Sequence, residues 1–583
     1  MQSFAQVSLP SAAANCDDVG ERKRPAQNWI LDPLQDGLFV IAAPLIVLAA
    51  ALWAFAKFGA AEATSLIIVA HIIMTVAHHL PTFIRIYGDV DLFRRFKWSF
   101  VLGPVIPLTL SVVVLSYINA HDYPVESFLY LYIMLVLWDP WHFLRQHYGF
   151  MRIYDRPNAA PRKLAAHMDL LLCAAWFAYI MLASGAWLPE LLRDLYVNTG
   201  ITLLLAFSAS AISVVANSMA WIAVAMTAAY GGYLYWCWRN GYFISGAKLA
   251  LFFVTFGVMY LTYTPNTWMQ SLAPGWTFKV GFAAVGIVHM TQYLAIVWRY
   301  NRSLAGSASR SRAGVFRRWH GSTSKWVTVC LGAGYVAICL AYGDLITTKQ
   351  EGRWLMSVLL AVGFTSTLMH YYFDGFIWKV RHKQNREALA MTESRTPDPT
   401  KNPTMKSTGA ISWWNTGAHM TPGRMFARQL LYFGVPMMAL TIGAMTTWSA
   451  PAANYIAHMY RAQSLSQQGL QREAEQQARL AYADMNTQLP FAIKLAELAP
   501  TAAREADLAF LIYNQSLYQN IVMPQVAGQR PTQEEQRLHR ENTRRAVGLL
   551  TSAIDRNESL AHPGREQLSL DEAKQVASSW SRL

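Results

Sequence analysis

The chain has 583 residues, of which 54% are hydrophobic and only 14% charged, against roughly 25% charged in an ordinary soluble domain, so water is not the main solvent for most of its length. The formal charge of +14 does not indicate nucleic acid, because Lys and Arg fall mostly in short loops between apolar runs, where the positive-inside bias places them. Five cysteines (Cys16, Cys173, Cys237, Cys330, Cys339) without a CxxC pair indicate neither a disulfide framework nor a zinc ribbon.

Residues 1–36 carry Asp17, Asp18, Glu21 and the basic run Arg22, Lys23, Arg24, with no small-residue cleavage site after a short apolar core. They read as an uncleaved cytoplasmic tail. A spanning helix needs about 20 apolar residues. Such runs predict spans near 37–58, 65–84, 98–118, 127–150, 164–187, 215–237, 247–264, 277–299, 325–346, 354–378 and 426–448. Basic loops follow every second span (Arg85/Arg94/Arg95/Lys97, Arg152/Arg156/Arg162/Lys163, Arg239/Lys248, Arg299 to Lys325, Lys379 to Lys406), which puts them in the cytoplasm. The apolar stretch 201–213 would break this alternation as a full crossing and reads as an interfacial or re-entrant half-helix.

Residues 381–424 are polar, with Pro397, Pro399 and Pro403, and read as a flexible cytoplasmic linker between a ten-helix core (37–380) and an eleventh, anchoring helix (425–448). The remainder, 449–583, is predicted helical and, by parity, periplasmic. Its Ala462, Gly469, Ala474 and Ala481 resemble the small-residue skeleton of a tetratricopeptide (TPR) hairpin. A single repeat cannot bury its own apolar face and needs neighbours, so this tail is expected to dock a protein partner or the bundle itself. The predicted fold class is all-α: a polytopic transmembrane bundle with a TPR-like extramembrane domain, in a bacterial inner membrane.

Four spans share one pattern: HIIMTVAHHLPTFIRIYGD (71–89), WDPWHFLRQHYGFMRIYDR (138–156), HMTQYLAIVWRYNR (289–302) and HYYFDGFIWKVR (370–381). Each carries histidine inside an apolar helix that ends in aromatic and basic residues. Counted at 1.5 Å per residue from the basic exits Arg152, Arg299 and Lys379, His142, His289 and His370 lie roughly 14–16 Å deep. On the same scale His78, His79 and His147 lie roughly 8–11 Å deep and His71 roughly 21 Å deep, which fits a site with two layers, or two sites.

His71 and His78 share a helix stripe, as do Asp139 with His142 and His370 with Asp374, whereas His142 and His147, five apart, cannot both face inward. Imidazoles with one or two carboxylates suit iron, zinc or copper better than magnesium. Ionisable groups at bilayer depth are costly and tend to be functional. A proton relay or hydrogen bonding between helices would also use them, and Arg145 either holds an anion or snorkels to the near interface. His121, His320, His382, His419, His458, His539 and His562 fall in predicted loops or the tail. Trp and Tyr at helix ends, such as Trp98, Tyr117 and Trp276, form the interfacial belts.

The H-x6-H-H of 71–79, the W-D-P-W-H-x4-H of 138–147 and the H-Y-x2-D of 370–374 resemble, loosely, the membrane-embedded multi-histidine di-iron oxygenases, among them fatty-acid desaturases and hydroxylases and the Brp/Blh carotenoid-cleaving proteins. The strict H-x3-4-H and H-x2-3-H-H boxes of the desaturases are absent. The resemblance implies a di-iron oxidoreductase acting on a lipid or isoprenoid that enters from the bilayer, with a cytoplasmic electron donor. His71, His78, His79, His142, His147, His289 and His370 are then the expected ligands, and Asp139 and Asp374 are carboxylate ligands or acceptors that fix the imidazole tautomers. Placement on alternating helices is similar also to haem A synthase, which implies haem b and electron transfer. A histidine-lined proton-coupled transporter is the third reading, marked by a broken helix at 201–213.

Overall fold

The computed structural model describes residues 26–121, 125–185, 187, 189, 192, 209–307, 325–347, 353–377, 421–447, 455–498, 500–526, 528–556, 560 and 570–582. Residues 381–420 of the expected linker 381–424 and residues 201–208 of the expected half-helix 201–213 lie outside the described residues, whereas the helices Pro422–Gln429 and Ala209–Arg239 take in the last residues of each. Every described element is helical.

The membrane part runs α1 (Ala43–Phe58), α2 (Ala60–Gly88), α3 (Val90–Ala120), α4 (Ile133–Tyr154), α5 (Arg162–Ala183), α6 (Ala209–Arg239), α7 (Gly246–Tyr263), α8 (Phe278–Ser307), α9 (Lys325–Thr347) and α10 (Arg353–Ile377). It closes with α11 (Pro422–Gln429), a π turn at Leu430–Gly434 and α12 (Val435–Thr447). Helices thus stand at all eleven predicted places. Eight among the described residues are long and apolar enough to cross a bilayer, or nine if Pro33–Ile41 and Ala43–Phe58, bent by 50°, form one span. This is the architecture of a multi-pass membrane protein. α4 is not among the eight, because Asp139, His142, Arg145, Gln146 and His147 fall within its length. α9 contributes only the shorter apolar run Gly332–Ala341.

Trp53, Val113, Val214, Trp221, Phe253 and Val358 are exposed on the outside of the bundle, where a hydrocarbon solvent makes such exposure favourable. Inside, three apolar clusters divide the packing. One gathers α4, α5, α6 and α7 around Leu144, Phe150, Leu172 and Phe256; a second gathers α3, α10 and α12 around Phe100, Phe364 and Phe373; a third gathers α1, α2 and α8 around Phe55, Ile67 and Val280. The four histidine-bearing helices come from all three clusters, with α2 and α8 sharing the third, and meet where the clusters adjoin.

Beyond α4, a buried ion network joins helix ends. Arg152 bonds Asp155 (2.9 Å) and Asp169 (2.5 Å), Lys248 Nζ reaches Asp155 (2.7 Å) and Asp169 (3.2 Å), and Tyr230 donates to Asp169 (2.8 Å). Two cations and two carboxylates balance, as buried charge requires. The last ten or so residues of the expected N-terminal tail join this end of the bundle. Gln27 donates to the Tyr154 carbonyl, Asn28 to that of Ile153, and Ser245 to Gln27.

The C-terminal part comprises α13 (Tyr455–Gln467), α14 (Gln471–Leu498), α15 (Ala502–Leu517), α16 (Gln533–Asp555) and α17 (Leu570–Ser581), packed in sequence. α13 and α14 form a hairpin that turns at Gly469 (φ +78°). Ala462, Ala474 and Ala481 of the small-residue skeleton are buried where these helices approach.

Candidate metal centre

α2 carries His71, Thr75, His78 and Thr82 at helical spacings of four, three and four, which puts them on one stripe facing α8 and α10. His79 lies beside that stripe. α8 presents His289 and Tyr293, α10 His370 and Asp374, each pair four residues apart. α4 presents Asp139, His142 and Gln146 on one face.

These faces bring five imidazoles into contact. Ring centres of His78 and His370 lie 4.2 Å apart, His78 and His79 4.6 Å, His79 and His370 4.6 Å, and His78 and His289 5.3 Å. His142 joins from α4, 5.1 Å from His289 and 5.2 Å from His370. Three overlapping trios each offer ligand atoms within 4.8 Å of one another: His78, His142 and His289; His78, His79 and His370; and His142, His370 and Asp374. The Asp374 carboxylate stands 3.8 Å from His370 Nε2 and 3.9 Å from His142 Nε2.

Around the rings lies a hydrogen-bonded collar. Thr82 Oγ1 is 2.6 Å from the Tyr293 hydroxyl and 3.1 Å from His370 Nδ1, and Tyr293 donates to Asp374 at 2.9 Å. Gln146 donates to the His289 carbonyl, tying α4 to α8. His78 Nδ1 lies 3.3 Å from the Thr75 carbonyl. The collar engages one ring nitrogen of His78 and one of His370 and leaves their Nε2 atoms inward; the Thr75 carbonyl, which can only accept, fixes the His78 tautomer with its proton on Nδ1.

The inward nitrogens are unsatisfied. His78 Nε2, His142 Nε2, His289 Nδ1 and His370 Nε2 are buried without a hydrogen-bond partner. Leaving one such group unmade costs about 1–3 kcal/mol, so four approach the whole stability of a typical domain, about 5–15 kcal/mol. A metal ion is the kind of partner that satisfies several imidazole nitrogens at once. The residues present therefore fit an ion bound by nitrogen with one carboxylate, a donor set suited to iron, zinc or copper.

Three expected ligands stand apart from the trios. His71 Nδ1 is 3.1 Å from the Ala283 carbonyl, and its ring lies against Gly286, where a Cβ would fall 2.3 Å from His71 Cε1. Asp139 accepts from the Tyr371 hydroxyl at 2.8 Å. His147 turns away from His142 and packs edge-on against Phe256 on α7, 5.0 Å between ring centres, because five residues rotate a helix by well over a right angle. The two depth layers also merge: His78 and His79 touch His370 although counting placed them several ångströms apart. Rise from a basic residue assumes straight, parallel helices, and α2 contains Pro81 while α4 contains Pro140.

Arg145 is exposed, with its guanidinium 5.6 Å from the rings of both Trp141 and Tyr148, and takes no part in the cluster. Thr82, Tyr293 and Tyr371 went unrecognised in the sequence. The usable signal was spacing: Thr82 and Tyr293 follow His78 and His289 by one helical turn.

Beside the rings, between α2, α4, α5, α7, α8 and α10, lies a cavity of about 140 Å³. No protein family, curated protein or solved structure matches the chain.

Proposed function

We propose that the chain is a membrane-bound, iron-dependent oxidoreductase of hydroxylase or desaturase type, acting on a lipid or isoprenoid substrate. The observation that carries this reading is the meeting of five buried imidazoles and Asp374, with four inward nitrogens that have no hydrogen-bond partner among the described residues. Trios that share His78, His142 and His370 suit two ions close together, as two-metal sites have their ions about 3.5–4 Å apart. Ring centres only 4.2–5.3 Å apart favour compact ions over haem, whose macrocycle would have to pass between rings already in contact.

His78, His79, His142, His289 and His370 hold the ions, and Asp374 balances part of their charge. Thr82 and Tyr293 keep His370 and Asp374 in register, since partners behind a ligand orient it and raise its basicity. Iron bound there supplies redox chemistry that carbon, nitrogen and oxygen side chains lack. Tyr371 and Asp139 line the cavity next to His142, where a hydroxyl and a carboxylate can hold or pass a proton. Burial in the bundle keeps water from the site.

Basic loops on one side support an inner-membrane orientation with the N-terminus and a soluble electron donor on the cytoplasmic side and the helical tail in the periplasm. The small-residue hairpin of α13 and α14 supports a TPR-like role for that tail in binding a protein partner.

Elemental analysis of the full chain purified from iron-supplied cells tests the reading. One to two iron per chain are expected, falling below a tenth in the His78→Ala/His370→Ala double variant. Equal and negligible iron in both would refute it.

A further inference from the structure

The cavity beside the histidines has a wall of one character. Phe143, Phe177, Met181, Tyr263, Phe282 and Val285 form it, from α4, α5, α7 and α8. Apart from the Tyr263 hydroxyl, its polar neighbours on that side are already engaged, His71 with the Ala283 carbonyl, Asp139 with Tyr371, and Thr75 and Thr367 with carbonyls of their own helices. A headgroup seeking hydrogen bonds would lose its water against that wall and gain little from it.

Size narrows the occupant further. At about 140 Å³ the chamber matches the roughly 150 Å³ apolar cavity that takes up benzene. It is well below the roughly 300–1,000 Å³ of sites that engulf a whole drug-sized ligand. A long chain threaded through its middle, with two arms, does not fit. One blunt end does.

We infer that this chamber binds the terminal, branched or cyclic hydrocarbon end of the substrate, a group of about six carbons, and presents it to His78, His79 and His289, while the rest of the molecule stays in the bilayer. This rests on the metal-centre reading for its chemistry but not for its binding. It assigns attack to the end of an isoprenoid-like chain rather than to the interior of a straight acyl chain.

Photolabelling of the metal-free full chain in lipid nanodiscs tests the chamber by itself. The probe is the spiro-diazirine of cyclohexanone, with labelled residues mapped by mass spectrometry. Met181 and Met290, both 4% exposed, are expected to be labelled, and Val285→Phe should cut this at least tenfold while labelling of the lipid-facing Val214 and Trp221 holds. The larger diazirine of adamantanone should label neither methionine in the wild type and both in Phe177→Ala, a gain that a misfolded Val285→Phe could not mimic. Absent labelling of Met181 and Met290 by the smaller probe, or labelling indifferent to both substitutions, would overturn the inference. Iron content of the same wild-type and Val285→Phe preparations, measured in parallel, reads the metal centre separately, because Val285 is not one of the proposed ligands.

Discussion

Thr82 is the residue on which the cluster's alignment turns. Its hydroxyl lies within hydrogen-bonding distance of Tyr293, His370 Nδ1 and Asp374. Thr82→Val keeps the shape and removes the hydroxyl, so iron affinity should fall about 10–100-fold, the usual effect of losing a group behind a ligand. The chain should still fold, and Thr82→Ser should recover most of the affinity; competition with a chelator of known strength measures both. The histidines themselves were legible in the sequence because ionisable groups in apolar helices stand out. The collar was not, since threonine and tyrosine are ordinary in such helices and become informative only when another helix places a histidine opposite. That His71, His147 and Asp139 lie outside the three trios was hidden for the same reason: depth and residue type were visible, but the partner on the neighbouring helix was not.

At the scale of the helix, close approach decides what α8 can accept. A Cβ at Gly286 would meet the His71 ring at 2.3 Å, and one at Gly281 would meet the Thr262 carbonyl oxygen at 2.2 Å. Both Gly286→Ala and Gly281→Ala should lower stability by about 1–3 kcal/mol, the range for overpacking. The two should respond differently to His71→Ala. That second change should rescue Gly286→Ala, where a side chain can be removed, and leave Gly281→Ala unrescued, where the obstacle is backbone. Thermal melts of the wild type, the three single variants and the two doubles, read as two double-mutant cycles, check this.

The ion network at the end of α4 and α5 makes a sharper demand. Lys248 is 1% exposed and contacts two buried carboxylates. Lys248→Met removes one of the two cations that Asp155 and Asp169 share, and should cost about 3–5 kcal/mol, as for breaking a buried pair by removing one partner. Denaturant-dependent unfolding in detergent would show it.

In the tail, the Thr532 N–H and hydroxyl hold the Glu535 carboxyl below its ordinary value of 4.5. A lowered folded value means the cap contributes above about pH 4.5 and is lost as pH falls through the lowered value. Helix α16 should therefore fray first at acid pH, seen as faster amide exchange at Glu534 to Gln536.

At the scale of the whole molecule, the tail does not stand clear of the bundle. Phe491, Leu495 and Leu498 of α14 pack with Leu192, between α5 and α6, and with Ile212 in the first turn of α6. Leu495→Asp puts an unpaired charge in this contact and should expose α14 to limited proteolysis without changing iron content. That the chain is an all-helical, multi-pass membrane protein was legible because hydrocarbon demands long apolar runs; eight of the eleven expected spans, or nine, are long and apolar enough to cross among the described residues. The docking was not, because an apolar tail face looks the same whether it meets a partner or its own chain.

The central claim concerns what the five imidazoles hold, and X-ray absorption at the iron edge of the iron-loaded full chain addresses it most directly. The account predicts nitrogen and oxygen neighbours near 2.0–2.2 Å, outer-shell scattering from several imidazoles, and an iron–iron distance of about 3.5–4 Å. Failure to bind iron, a sulfur or porphyrin scattering pattern, or a spectrum unchanged by His78→Ala/His370→Ala would contradict it.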